Sequence, residues 1–276
     1  AAVEGFEMAA LEKAAAETKE ETGISFELAA EGTVTEITAT GIGAHASTPD
    51  VGNNALTGLL VFLGKLDFAS CPQVDMVRKT ASLFPHGDVN GKTLGVAMED
   101  ELSGNLTLSF NMLSVDAASM DGEFDGRIPV CGNDENVLEV VRARMAEQGL
   151  TLLNKALIPP HHVSADSYFV KTLLAAFELY TGRKGECQAL GGGTYVHHLE
   201  NGVAFGAAMP ETDNKMHGPD EFAVVDELLV SAKIFAQDSG INGSSSVVQM
   251  RTDSSRLYST AARRGFFASS LASAHG

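Results

Sequence analysis

Two histidines, an arginine and a run of glycines carry most of the chemistry this sequence can hold. His217 lies in NKMHGPDEF, after the apolar stretch GVAFGAA, with the carboxylates of Asp220 and Glu221 close behind it. A histidine just beyond a buried strand, at the mouth of a following helix, sits where an open α/β sheet usually builds its site. One imidazole does not hold a catalytic zinc alone, because such a site takes about three protein ligands. The remaining ligands would have to come from elsewhere.

His45 lies in GAHASTPDVGNNA, among small residues that let a ligand approach closely. An imidazole on such a loop can donate to the oxyanion formed when a carbonyl is attacked, a contribution worth about 3 kcal/mol in comparable sites. The alternative is a local capping role in the loop. Asn54 faces the same choice between starting a helix and donating to a substrate. Arg127, in EFDGRIPV, stands at a strand end that a proline closes. Its planar guanidinium suits a two-point grip on a carboxylate, though many strand-end arginines are simply solvated or ion-paired. Gly191, Gly192, Gly193 and Thr194 form a turn whose backbone N–H groups, next to a helix start, can bind an anion; a tight packing turn explains the same glycines.

The other histidines offer less. His86 and His275 fall in loops that look exposed, and the pairs His161/His162 and His197/His198 lack the three- or four-residue spacing of two ligands on one helix face. His161 keeps some interest because a double proline precedes it. The sequence contains no HExxH, no Cys/His zinc spacing, no phosphate-binding loop and no GxSxG elbow.

These residues need elements to hold them. The Ala-, Glu- and Lys-rich stretch from Phe6 to Thr22, stopped by Gly23, predicts a helix. Ile24–Ala30 and Thr33–Thr40 predict a hairpin around Glu31-Gly32. Helices are expected over Asn54–Phe68, Gln73–Leu83 and Asn133–Gln148, and paired strands over Asn105–Val115 and Glu123–Pro129. Helices beside about four strands make a two-layer α+β sandwich. The character changes over Leu150–Val163, where a strand leaving one domain for another is expected. Beyond it come a helix over Asp166–Tyr180, a strand ending in the glycines, a strand over Gly202–Ala207 and a helix over Pro219–Gln237, which is half of an α/β layer. That half has too little sheet to bury its own strands. The expected division is 1–152, 153–238 and a tail, 239–276. The tail is rich in Ser and Ala and locally basic, and it reads as disordered or appended, with a basic amphipathic anchor as the alternative.

Bulk composition narrows the partners. A net charge of -17 with 44% hydrophobic residues describes a globular chain that does not seek nucleic acid or an anionic membrane. Cys71, Cys131 and Cys187 are odd in number and far apart, which argues against a disulfide framework and fits a reducing cytoplasm. No run is long and apolar enough to span a bilayer. The start AAVEG is neither an initiator methionine nor a signal peptide, and a fragment is the expectation drawn from it.

Taken together and in order, AHASTPDVGNNA, GRIP and GGGTY…NKMHGPDEF resemble the dipeptidase V branch of the co-catalytic zinc peptidases, which also include aminoacylase, carboxypeptidase G and succinyl-diaminopimelate desuccinylase. The resemblance extends over almost the whole chain up to Asp238. It implies a catalytic α/β domain with an inserted α+β lid, the lid here running from Phe6 to about Leu150 and the C-terminal half of the catalytic domain from about Ile158 to Gln237. It implies that His217 is a ligand of one of two zinc ions and that His45 reaches from the lid to the substrate carbonyl. It gives Arg127, with Gly193 and Thr194, to binding of a small peptide substrate and its carboxylate, and Asn54 and Gly192 are further candidates for the same substrate site. The implied reaction is amide hydrolysis by a zinc-bound water. The family's other metal ligands and its general base precede the lid, so the chain by itself is expected to be inactive without that N-terminal half. An acylamino-acid or succinyl-amino-acid deacylase is the alternative chemistry, and a non-catalytic fragment or a module that makes a homodimer through the lid sheet is the alternative class.

Overall fold

The computed structural model describes residues 1–192, 195–205, 209, 211–215, 220–241 and 266–271. The chain is mixed α/β with small sheets and divides into two compact units, one formed by Ala1–Pro159 with the strand Phe266–Leu271, the other beginning at Pro160.

In the first unit, β1 (Ala2–Glu4) pairs antiparallel with β3 (Val34–Thr40), which pairs in turn with β2 (Ser25–Glu31), so the expected hairpin forms with Glu31 opposite Val34. Helix α1 (Met8–Thr22) ends at Gly23, whose left-handed φ of 73° lets its N–H reach the Lys19 carbonyl at 2.9 Å. Leu11 and Ala14 of α1 pack with Ile37 of β3 and with Phe62 of α2 (Ala55–Gly64). Leu60, on another side of α2, enters a larger core that includes Leu83 of α3 (Pro72–Leu83), Phe110 of β6 (Thr107–Val115) and Phe124 of β7 (Met120–Arg127). Helix α2 therefore ties the small sheet to the larger one. Contact is close where Gly58 meets Ile24, since a Cβ on Gly58 would lie 2.4 Å from the Ile24 side chain.

Strands β4 (Glu99–Asp100) and β5 (Gly104–Asn105) make a two-stranded turn before β6. The expected helix at 133–148 starts as a single π turn, Asp134–Leu138, capped by Asn133, and continues as α4 (Glu139–Glu147). Only Thr151–Leu152 of the strand expected near the boundary forms, as β8. The larger sheet has the order β6-β7-β9-β8, in which β9 (Phe266–Leu271) comes from the region whose composition reads as an appended tail.

The second unit holds α5 (Tyr168–Thr181), capped by Ser167 and Gly182, and α6 (Val225–Ile241), which begins six residues later than the pattern predicts. Phe205 stands edge-on to both Phe177 and Phe235, at ring separations of 6.5 and 5.5 Å. The two strands expected here do not form among the described residues: 183–190 and 202–205 are irregular. The cause is the one the sequence carries. A strand needs a neighbour to take its N–H and C=O groups, and two helices alone offer none.

Candidate functional site

The His45 segment is a closed loop. Ile42 and Asn53 exchange backbone hydrogen bonds of 2.9 and 2.8 Å at its neck, and a Cβ on Gly41 would sit 2.1 Å from the Asn53 carbonyl oxygen, so only glycine allows that neck to close. Pro49–Val51 turns as a short 3-10 helix, and Asn54 then starts α2. The Asn54 carboxamide oxygen accepts from the Leu56 and Thr57 N–H groups at 2.9 and 3.1 Å, while its Nδ2 donates to the Phe110 carbonyl at 2.8 Å. The Phe110 carbonyl lies at a β-bulge, where the Phe110/Phe124 pairing gives way to Met112/Glu123. Both ends of the Asn54 amide are engaged in this helix start.

Thr107 Oγ1 donates to the Ala46 carbonyl at 2.9 Å, which lays the residue after His45 against β6. Thr107 is the register partner of Arg127 on β7, so the loop and the arginine share one end of the sheet. Within the loop, the Ser47 backbone N–H donates to His45 Nδ1 at 3.2 Å, and the Ser47 hydroxyl lies 2.7 Å from the same nitrogen. An Nδ1 that accepts leaves the ring proton of the neutral imidazole on Nε2. That is the tautomer an oxyanion donor needs.

Arg127 does not stand in solvent. Its Nη2 donates to Asp125 Oδ2 at 2.8 Å, and its Nε lies 2.8 Å from Oδ1 without a bond of good angle, with both of those atoms buried. Asp125, two residues earlier on the same strand face, is only 3% exposed. Burial pushes its carboxyl above the usual carboxylate range, against the opposing pull of the Arg127 guanidinium and of the nearby His45 ring. Asp125 was not among the residues that sequence singled out. The D-x-R spacing on a strand, which puts both side chains on one face, was the available signal.

The other candidates are placed as follows. Gly192 has open space where a Cβ would stand, and Gly193, Thr194 and His217 lie outside the described residues. Flanking the last of these, Phe222 N–H donates to the Asn214 carbonyl at 3.2 Å, Lys215 and Asp220 hold positive φ of 55° and 62°, and Glu227 on α6 accepts from Met209 N–H at 3.2 Å and from the Thr212 hydroxyl at 2.5 Å. Non-glycine residues in that conformation are uncommon and concentrate where a local geometry is held by its surroundings. His86 is half-buried rather than exposed: its Nδ1 lies 2.9 Å from Thr57 Oγ1, and burial lowers its pKa against the Thr22 carbonyl and Glu21, which raise it. His161 and His197, distant in sequence, stand 5.5 Å apart by ring centre, with His161 Nε2 at 2.6 Å from the Gly202 carbonyl. His275 lies outside the described residues. Among the described residues no group of three or more His, Cys, Asp or Glu side chains could hold a metal ion, so these residues do not by themselves fit a metal centre. Nor is any helix among them long and apolar enough to cross a membrane.

The chain is 37% identical over 202 residues to a putative dipeptidase, YtjP, of Bacillus subtilis, covering 71% of this chain and 42% of that protein. It is 33% identical over 203 residues to a Beta-Ala-Xaa dipeptidase of Lactobacillus delbrueckii, covering 73% of this chain and 43% of that one. A putative dipeptidase of Staphylococcus epidermidis is 28% identical over the same span. These relatives support a peptidase family. The chain spans less than half the length of the curated relatives it matches. No protein-family model matches it.

Proposed function

We propose that this chain is the lid, with part of the catalytic domain, of a zinc-dependent dipeptidase acting on small peptides. The observation that carries this reading is the meeting of the His45 loop with Arg127 at one end of β6 and β7, through the Thr107–Ala46 hydrogen bond. In that arrangement a proton on His45 Nε2 can be shared with the oxygen of an attacked carbonyl, where charge develops. The outward N–H groups of Arg127 can take the free carboxylate at the other end of a short substrate. A donor and a cation at one end of the same sheet suit a short substrate that carries a free carboxylate. The sequence similarity to proteins named dipeptidase supports the same chemistry.

Zinc belongs to this proposal through the resemblance, with His217 as this chain's ligand and the others supplied by the part of its relatives that the chain does not span. Among the described residues no group of three or more His, Cys, Asp or Glu side chains assembles a site for it.

The test joins this chain to the portion of the Bacillus relative that it does not match and assays dipeptide hydrolysis with added zinc. His45→Ala should lower kcat by about 100-fold or more with little change in KM, as for loss of an oxyanion donor. Arg127→Ala should raise KM for free dipeptides and leave C-terminally amidated ones unaffected. The chain alone should neither hydrolyse dipeptides nor bind zinc tightly; stoichiometric tight zinc on it, or an unchanged free-acid preference in R127A, would overturn the reading.

A further inference from the structure

We propose that Asp125 is a positioning residue of the substrate site, holding the Arg127 guanidinium edge-on so that its remaining N–H groups face a carboxylate. The inference rests on the reading of Arg127 given above and extends it to a residue that neither the sequence pattern nor the similarity assigns.

Its basis is a contrast within the chain. The aspartates that this fold uses for structure accept backbone N–H groups. Asp88 takes those of Asn90, Lys92 and Thr93; Asp100 takes those of Leu102, Ser103 and Cys131; Asp116 takes those of Ala118 and Ser119. Each of those carboxyls is held below its ordinary pKa. Asp125 takes no backbone N–H among the described residues. Among the described residues its hydrogen bond and its ion pair both go to the side chain of Arg127. A buried carboxylate that caps nothing and closes no turn is expensive unless its partner needs it.

The strand pattern sharpens the point. Asp121 and Glu123 share the face of β7 that carries Asp125 and Arg127, and both are exposed. Asp125 is buried there while Arg127 keeps a side chain 22% exposed. The carboxylate is therefore covered and the cation reaches past it. Asp125 occupies the Nε edge and one hydrogen of Nη2, and Nη1 has no partner among the described residues. A guanidinium fixed along one edge presents the other as a preorganised fork, so less side-chain entropy is lost when a carboxylate docks.

The experiment uses the whole chain, isotope-labelled, with N-acetyl-alanine as the carboxylate probe and N-acetyl-alaninamide as the uncharged control. NMR follows the Arg127 Nε–H and His45 Cε1–H signals during titration, and a thermal melt of each variant reports folding separately. The native chain should bind the acid in preference to the amide. Asp125→Asn, which keeps shape but turns an N–H toward the guanidinium, should weaken acid binding about tenfold and broaden the Arg127 Nε–H signal. Asp125→Glu should recover most of that loss. If D125N lowers the melting midpoint but binds the acid as the native chain does, Asp125 is only structural and the proposal fails while the reading of Arg127 stands. If the native chain does not distinguish acid from amide, the reading of Arg127 fails and takes the proposal with it.

Discussion

Replacing Asn54 by alanine removes three hydrogen bonds from one side chain: two caps on the first turn of α2, at 2.9 and 3.1 Å, and the 2.8 Å bridge to the Phe110 carbonyl fifty-six residues away. Loss of an N-cap costs about 1 kcal/mol. A carbonyl left without its partner at the bulge costs about 1 kcal/mol more. The sum is about 2 kcal/mol, which for a unit of this size lowers the melting midpoint by roughly 4–8 °C. Asn54→Ser separates the two contributions, because a serine hydroxyl keeps the cap but is too short to bridge to β6, and it should cost about half as much. Urea denaturation of the two variants against the native chain gives both numbers. A second effect falls on function: both variants lose the bridge, and with it one tie of the His45 loop to β6, so the His45 Cε1–H signal should shift to a similar extent in N54A and N54S. A loss under about 0.5 kcal/mol in N54A would refute the structural account and return Asn54 to the role of substrate donor, since a surface polar residue typically costs no more than that.

Gly41→Ala should be destabilising by about 2 kcal/mol, because its methyl would stand 2.1 Å from the Asn53 carbonyl and the Ile42–Asn53 pairing would have to open; a melt within error of the native one would show that the neck is not closed in solution. For acid stability the relevant group is Asp100, whose pKa is lowered from 3.8 to about 2 by the Ser103 backbone and hydroxyl first and then by Cys131 and Leu102 N–H. A depressed carboxyl contributes stability above its unfolded value that is lost as pH falls through its folded one. The stability deficit of D100A should therefore be present at pH 6, shrink between about pH 4 and pH 2, and vanish below; denaturant midpoints across that range check it, and a constant deficit would contradict it.

How much of this was legible in the sequence depends on how local each cause is. The helix over 8–22 announces itself by composition and by Gly23, and the hairpin by alternation around Glu31-Gly32, because both are settled by residues within a few positions of one another. The strands expected on either side of the 191–194 turn were not legible in the same sense. Their apolar runs are real, but a strand exists only with a neighbour, and the described part of this unit supplies helices instead. A period-2 pattern states a capacity to pair and says nothing of whether the partner is present.

The site divides in the same way. His45, Arg127 and Asn54 could be named from their types and flanking residues, yet the choice for Asn54 between starting a helix and donating to a substrate turns on Phe110, fifty-six residues away, whose carbonyl takes its amide. Asp125 escaped notice for a related reason. On β7 it belongs to the face that turns away from the main core, where Asp121 and Glu123 are solvated, and a sequence reading puts it with them. Close by in the fold is a loop anchored to β6 by a hydrogen bond that spans sixty-one positions, from Thr107 to Ala46, and its His45 ring acts on the Asp125 carboxyl. Asp125 is the one charged side chain that is buried among the described residues of this unit. It is also the one that touches the arginine, and that coincidence of burial with position is the ground for proposing a positioning role for it.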